Sequence, residues 1–104
     1  MPRTAILYAR SYRRAQLDRQ VRELEDWCDR AGVVPVDTVA EVALGLRASK
    51  RCRGVLADVA AGRADLVLIR DVTRLSECPV QLKEIIDEHR HRIALSRDDV
   101  DPSR

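Results

Sequence analysis

The 104 residues suffice for one domain with a single core and are too few for two ordinary domains, which excludes a polymerase or synthetase complete within this chain. Apolar residues make up 45% and charged residues 35%, with 4 Gly and 4 Pro, the balance of a globular domain and not of a disordered or collagen-like one. The formal charge of +2 is too small to announce a nucleic-acid partner, and with no Phe and 3% aromatics there is little material for stacking single-stranded bases.

Thr4 to Ala9 is a short apolar run and reads as a strand buried on both faces, ending at the polar loop Arg10 to Arg14. From Leu17 the apolar positions recur as Leu17, Val21, Leu24, Trp27, Cys28 and Ala31, one stripe of a helix that Gly32 stops. Val33 to Val42 alternates around Pro35 and suits a strand near a sheet edge. A mobile loop over Ala43 to Lys50 leads into a second helix, marked by Cys52, Val55, Leu56, Val59 and Ala60 and closed by Gly62. Asp65 to Ile69 is the most strand-like run and is expected in the centre of the sheet. Arg70 to Cys78 is a polar connection, Pro79 fits the first turn of a third helix with the stripe Leu82, Ile85, Ile86 and His89, and Arg92 to Leu95 makes a last short strand. Strand and helix alternate throughout, so the fold class is α/β, a mostly parallel sheet with helices over its faces.

Working residues in such a sheet lie beyond the carboxyl ends of the strands, where Arg10 to Arg14, Leu44 to Arg51 and Arg70 to Ser76 all fall. Guanidinium forks bind phosphate through paired hydrogen bonds, so three arginine-bearing loops at one rim suggest an oxyanion site with a phosphodiester as guest. The Ser11 hydroxyl could attack phosphorus while Arg10 and Arg74 hold the developing charge. An arginine at a strand end also reads as a solvated or ion-paired side chain, and Ser11 as a turn former. His89 and His91 belong to the third helix and its exit, so no Ser-His-Asp triad and no metal site are expected, and no cofactor motif is present. Cys28, Cys52 and Cys78 are an odd number without CxxC spacing, which points to reduced thiols and a cytoplasmic setting. No apolar run is long enough to cross a membrane, and Met-Pro-Arg-Thr does not open a signal peptide.

Tyr8-Ala9-Arg10-Ser11, Leu17-Asp18-Arg19-Gln20-Val21-Arg22-Glu23-Leu24, the run Val55 to Leu68 and Thr73-Arg74-Leu75-Ser76 together resemble the catalytic domain of the resolvase/invertase serine recombinases over nearly the whole chain. The resemblance implies a three-layer domain with about four mostly parallel strands over residues 1–96, a polar tail over 97–104, and no DNA-binding domain of the kind that follows in the family. It implies a dimerising domain in which a serine attacks a DNA backbone phosphate before strands are exchanged and rejoined. Arg10 matches the arginine of the family's Tyr-x-Arg-Val-Ser signature and Arg74 that of its Asp-Arg-Leu-Ser-Arg signature. Gln20 and Asp18 match the start of the first helix, and Glu41 with Gly45 is similar to an Asp and Gly of the loop after the second strand. Arg51 or Arg47 stands near a further family arginine as a possible third phosphate-binding cation.

The departures are specific. The signature serine belongs two residues after Arg10, where Tyr12 stands; Ser11 fills the role only if the intervening Val is deleted, and one residue is missing between Arg10 and Leu17 relative to the family's spacing. The family's Asp is Thr73, its second arginine is Glu77, and its loop serine is Leu44. Losing one aimed charge donor typically costs roughly 3–4 kcal/mol in a transition state. Strand cleavage is therefore expected to be weak or lost, DNA binding to be weak, and the partner to be a second copy or a full-length recombinase. The alternatives are a non-catalytic dimerisation or interaction module derived from a recombinase, and a flavodoxin- or receiver-like domain, which would need an acidic cluster or phosphate loop that this sequence lacks.

Overall fold

A computed structural model describes residues 1–97, so of the expected polar tail all but Arg97 lies outside the described residues. The elements follow in the order β1 (Thr4–Ser11), α1 (Arg14–Ala31), β2 (Val34–Val42), α2 (Lys50–Ala60), β3 (Leu66–Ile69), α3 (Pro79–His89) and β4 (Ile93–Leu95), with short 3-10 turns at Val72–Arg74 and Arg90–Arg92. The four strands form one sheet in the order β2-β1-β3-β4, and every pairing is parallel. This is the α/β architecture that the alternation of periods requires.

Side-chain alternation along the strands divides the core into two layers. Ala5, Leu7 and Ala9 of β1, with Leu66 and Leu68 of β3, pack beneath Leu17, Leu24 and Cys28 of α1. Ile6 and Tyr8, with Val67 and Ile69, face the other way onto Cys52, Val55, Leu56 and Val59 of α2 and Ile85 of α3. Both faces of β1 and β3 are thus buried, which explains their unbroken apolar runs. Each buried Leu or Ile contributes about 1.5–3 kcal/mol, and the absence of Phe is met by numerous aliphatic side chains.

Local chemistry sets the boundaries. Gly32 takes φ +70°, a left-handed conformation that ends α1 with its N–H donating to the Cys28 carbonyl. Ser49 caps α2 by accepting the Cys52 N–H at 3.0 Å, and Pro79 occupies the first turn of α3. At the amino-terminal rim the Asp65 carboxylate accepts the Thr4 N–H at 2.8 Å and ties β3 to β1. At the edge of the sheet, the β1–β2 register shifts between Ala5 and Ile6, leaving Val36 as an extra residue opposite the bend.

One boundary differs in a way that matters for the site. β1 runs on through Arg10 and Ser11, two residues beyond the apolar run, because Glu41 and Val42 of β2 continue the ladder on one side and the Gln20 side chain replaces it on the other.

Candidate active site

At the carboxyl ends of the strands, Arg10, Ser11, Tyr12, Ala43, Thr73, Arg74 and Glu77 line a small cavity of about 60 Å³. Its floor is the end of β1. The Arg10 backbone lies beyond the last β1–β3 pair, Leu7 with Leu68, so its N–H and carbonyl need other partners. Gln20, 2% exposed on the buried stripe of α1, supplies both: its amide oxygen accepts the Arg10 N–H at 3.0 Å and its amide nitrogen donates to the Arg10 carbonyl at 3.1 Å.

The Arg10 side chain is 6% exposed. Its Nη2 donates to the Gly45 carbonyl at 3.1 Å and its Nη1 to the Leu75 carbonyl at 3.4 Å, so one guanidinium fastens the loop after β2 to the loop after β3. Arg74, half-buried, donates through Nη1 to the Arg10 carbonyl at 3.0 Å, and its Nε stands 3.5 Å from the Asp71 carboxylate. Asp71 also caps the turn that carries Arg74 by accepting the Thr73 N–H at 3.1 Å. The two arginines are therefore brought together, each already engaged by protein atoms.

Ser11 is 3% exposed and forms part of the cavity wall. Its hydroxyl donates to Gln16 Oε1 at 2.7 Å and accepts the Arg13 N–H at 3.1 Å, which makes it a brace for the first turn of α1. Strand alternation explains the direction. Ser11 shares the α1 side with Ala5, Leu7 and Ala9, whereas Arg10 shares the opposite side with Ile6 and Tyr8.

Behind the cavity, the Glu41 carboxylate accepts the Tyr8 hydroxyl at 2.5 Å and the Ser49 hydroxyl, joining β1, β2 and the start of α2. Burial, reinforced by the bond to Glu41, pushes the Tyr8 phenol far above its ordinary range. Burial likewise pushes the Cys52 thiol up to about 11, against the opposing pull of Arg10. The loop expected to be mobile is anchored: Glu77 N–H donates to the Leu46 carbonyl at 2.6 Å, Ala48 N–H to Gln81 Oε1 at 2.7 Å, and Ala43 N–H to the Ser11 carbonyl at 3.1 Å.

Other expected site residues lie elsewhere. Arg47 is exposed with Nη1 4.0 Å from Cys78 Sγ, Arg51 is exposed on the first turn of α2, and Asp18 is exposed on α1; none of them lines the cavity. His89 is buried within α3, away from the cavity. Among the described residues no group of three or more His, Cys, Asp or Glu is disposed to hold a metal ion, and no helix is long and apolar enough to cross a membrane.

The contact that sequence reasoning did not foresee joins two of the departures. The Tyr12 hydroxyl donates to the Glu77 carboxylate across 65 positions of chain. That bond is the first cause of an upward shift of the Tyr12 phenol, which the charges of Arg10 and Arg74 oppose.

A parallel sheet sandwiched between α1 and the pair α2 and α3, with two arginines brought together at its carboxyl rim, defines an α/β domain. The model of the resolvase N-terminal domain matches residues 5–95, and the chain belongs to that family. Four solved chains match in structure. Among them is the C-terminal catalytic domain of ISC1926 TnpA, an IS607-like serine recombinase, with a TM-score of 0.74 and 24% identity over 91% of this chain and 70% of that one. That likeness supports the fold. No curated protein matches the sequence.

Proposed function

We propose that this resolvase-family domain takes part in DNA recombination, with Arg10 and Arg74 facing the DNA phosphate and with strand cleavage through Ser11 weak or lost. Family membership supports the DNA reading. The observation that carries the loss is the divergence of nucleophile and clamp: the Ser11 hydroxyl turns toward α1 and is bonded to Gln16 and Arg13, while the Arg10 guanidinium turns to the other side of β1. In the reaction at issue, the serine hydroxyl would give up its proton and its oxygen would form a bond to phosphorus, while the bond from phosphorus to a sugar oxygen breaks and that oxygen takes up a proton. That attack needs hydroxyl, phosphorus and guanidinium in line on one side of the strand end. Gln20 and Glu41 are positioning residues in this reading, the first holding the Arg10 backbone and the second joining β1 to β2 and α2. Asp18 is assigned to the same helix without a contact to the cavity. Arg47 and Arg51 are candidate contacts for flanking phosphates from the exposed surface. A full-length recombinase or a second copy of the chain is the proposed protein partner, since a formal charge of +2 supplies little affinity for duplex DNA at physiological salt.

The test is a covalent-adduct assay. The protein is incubated with supercoiled plasmid at low salt, denatured, and analysed for DNA-linked protein beside Ser11→Ala. Wild type is expected to give little or no adduct above that of Ser11→Ala. A strong adduct that disappears in Ser11→Ala would overturn the proposal.

A further inference from the structure

Two of the residues that depart from the family signatures at the cavity, Tyr12 and Glu77, meet each other. Tyr12 projects from the turn between β1 and α1, and Glu77 from the segment leading into α3, and both line the cavity with Arg10 and Arg74. We infer that Glu77, held in place by the Tyr12 hydroxyl, sets the specificity of this cavity by excluding free oxyanions from the two arginines.

The charge balance carries the argument. Arg10 and Arg74 bring two positive charges to the cavity, while Asp71 stands beside Arg74 and Glu77 lines the wall. Two cations against two carboxylates leave no net charge to draw in a free phosphate ion. Donor capacity is reduced as well, because Arg10 spends hydrogen bonds on the Gly45 and Leu75 carbonyls and Arg74 spends one on the Arg10 carbonyl. A carboxylate within the wall repels an incoming anion, the like-charge juxtaposition by which a binding surface rejects the wrong partner.

Backbone tethers keep Glu77 there. Its N–H donates to the Leu46 carbonyl at 2.6 Å, and the Ser76 hydroxyl beside it lies 3.1 Å from the same carbonyl and 2.8 Å from Gln81 Oε1. The Tyr12 bond then fixes the side chain. Neither partner can be exchanged alone without consequence: Glu77 without Tyr12 keeps its charge and loses its anchor, whereas Tyr12 without Glu77 leaves the cavity one negative charge short and its remaining arginine donors open to an anion. The inference concerns anion binding alone and does not depend on whether Ser11 cleaves DNA.

The experiment titrates the 15N-labelled chain with inorganic phosphate at low ionic strength and follows the amide signals of Thr73, Arg74 and Glu77. Wild type is expected to bind with millimolar affinity or weaker. Glu77→Gln, which removes the charge and keeps the size, should bind at least about tenfold more tightly, and the double variant Glu77→Gln with Arg74→Ala should lose that gain. Tyr12→Phe should tighten binding by a smaller factor, since the carboxylate remains. Glu84→Gln removes the same charge from the exposed side of α3 and should leave affinity unchanged. Equal phosphate affinity in wild type and Glu77→Gln would overturn the inference, as would an equal gain in Glu84→Gln. Glu77 is exposed, so the variant should melt with the wild type, and Glu77→Ala serves as the second variant if it does not.

Discussion

Replacing Gln20 by Leu tests whether a side chain stands in for a missing strand. The substitution keeps size and apolar contacts with the stripe of α1 and removes both hydrogen bonds to the Arg10 backbone. The Arg10 carbonyl retains Arg74 Nη1 at 3.0 Å, but the N–H is left buried without its partner. An orphaned buried donor costs about 1–3 kcal/mol and the second lost bond about 1 kcal/mol, so the destabilisation should come to about 2–4 kcal/mol. For a domain of this size that lowers the melting temperature by about 10–25 °C. Urea unfolding, followed by far-ultraviolet circular dichroism and by Trp27 fluorescence, should show an earlier midpoint at an unchanged slope. A Gln20→Leu midpoint within about 0.5 kcal/mol of wild type would refute the reasoning, since surface-like tolerance is incompatible with an orphaned donor.

Two further outcomes concern the start of α2. The Cys52 thiol is raised from 9.0 to about 11 by burial, so its protonated form stabilises the fold below pH 9.0 and that stabilisation is lost as pH rises toward 11. The loss amounts to about 3 kcal/mol in wild type, to which Tyr8 adds in the same direction, and the stability of Cys52→Ala measured by urea from about pH 8 upward should decline less steeply. Parallel declines would count against it. Ser49→Ala removes the α2 cap and one hydrogen bond to Glu41, so it should cost about 1–2 kcal/mol in the same assay. Ser49→Thr, which keeps the hydroxyl, should recover most of the loss, and a Ser49→Ala protein as stable as wild type would contradict the capping role.

The elements were legible because each carries its own signal. The stripe from Leu17 to Cys28, the Gly32 stop, the apolar run into Ile69 and Pro79 ahead of α3 all act over a few residues. The end of β1 was not legible by the same means. Arg10 and Ser11 are polar and look like loop, and only Gln20 and β2 make them strand. Since the direction of every side chain in a strand depends on its count from the buried run, that extension decides which way Ser11 points. Gln20 did carry a signal, being the one polar residue in step with Leu17, Leu24 and Cys28, where an unpaired amide would be costly. Tyr8 carried one too, since a buried phenol requires an acceptor, but nothing local names Glu41 as that acceptor. The meeting of Tyr12 with Glu77 joins positions 65 apart, and no periodicity encodes it.

The open flank of β2 has a consequence for the behaviour of the molecule at high concentration. Val34 donates its N–H inward to the Arg3 carbonyl, so by alternation the missing N–H of Pro35 faces outward, where an invading chain would seek its first donor. The extra residue at Val36 then breaks the rhythm of the ladder, and Asp37 follows with a charge. Exposed Val34 and Val36 would otherwise invite another polypeptide to add itself side by side. Restoring a regular, proline-free flank would therefore be expected to show itself as aggregation long before it altered the cavity at the far end of the sheet.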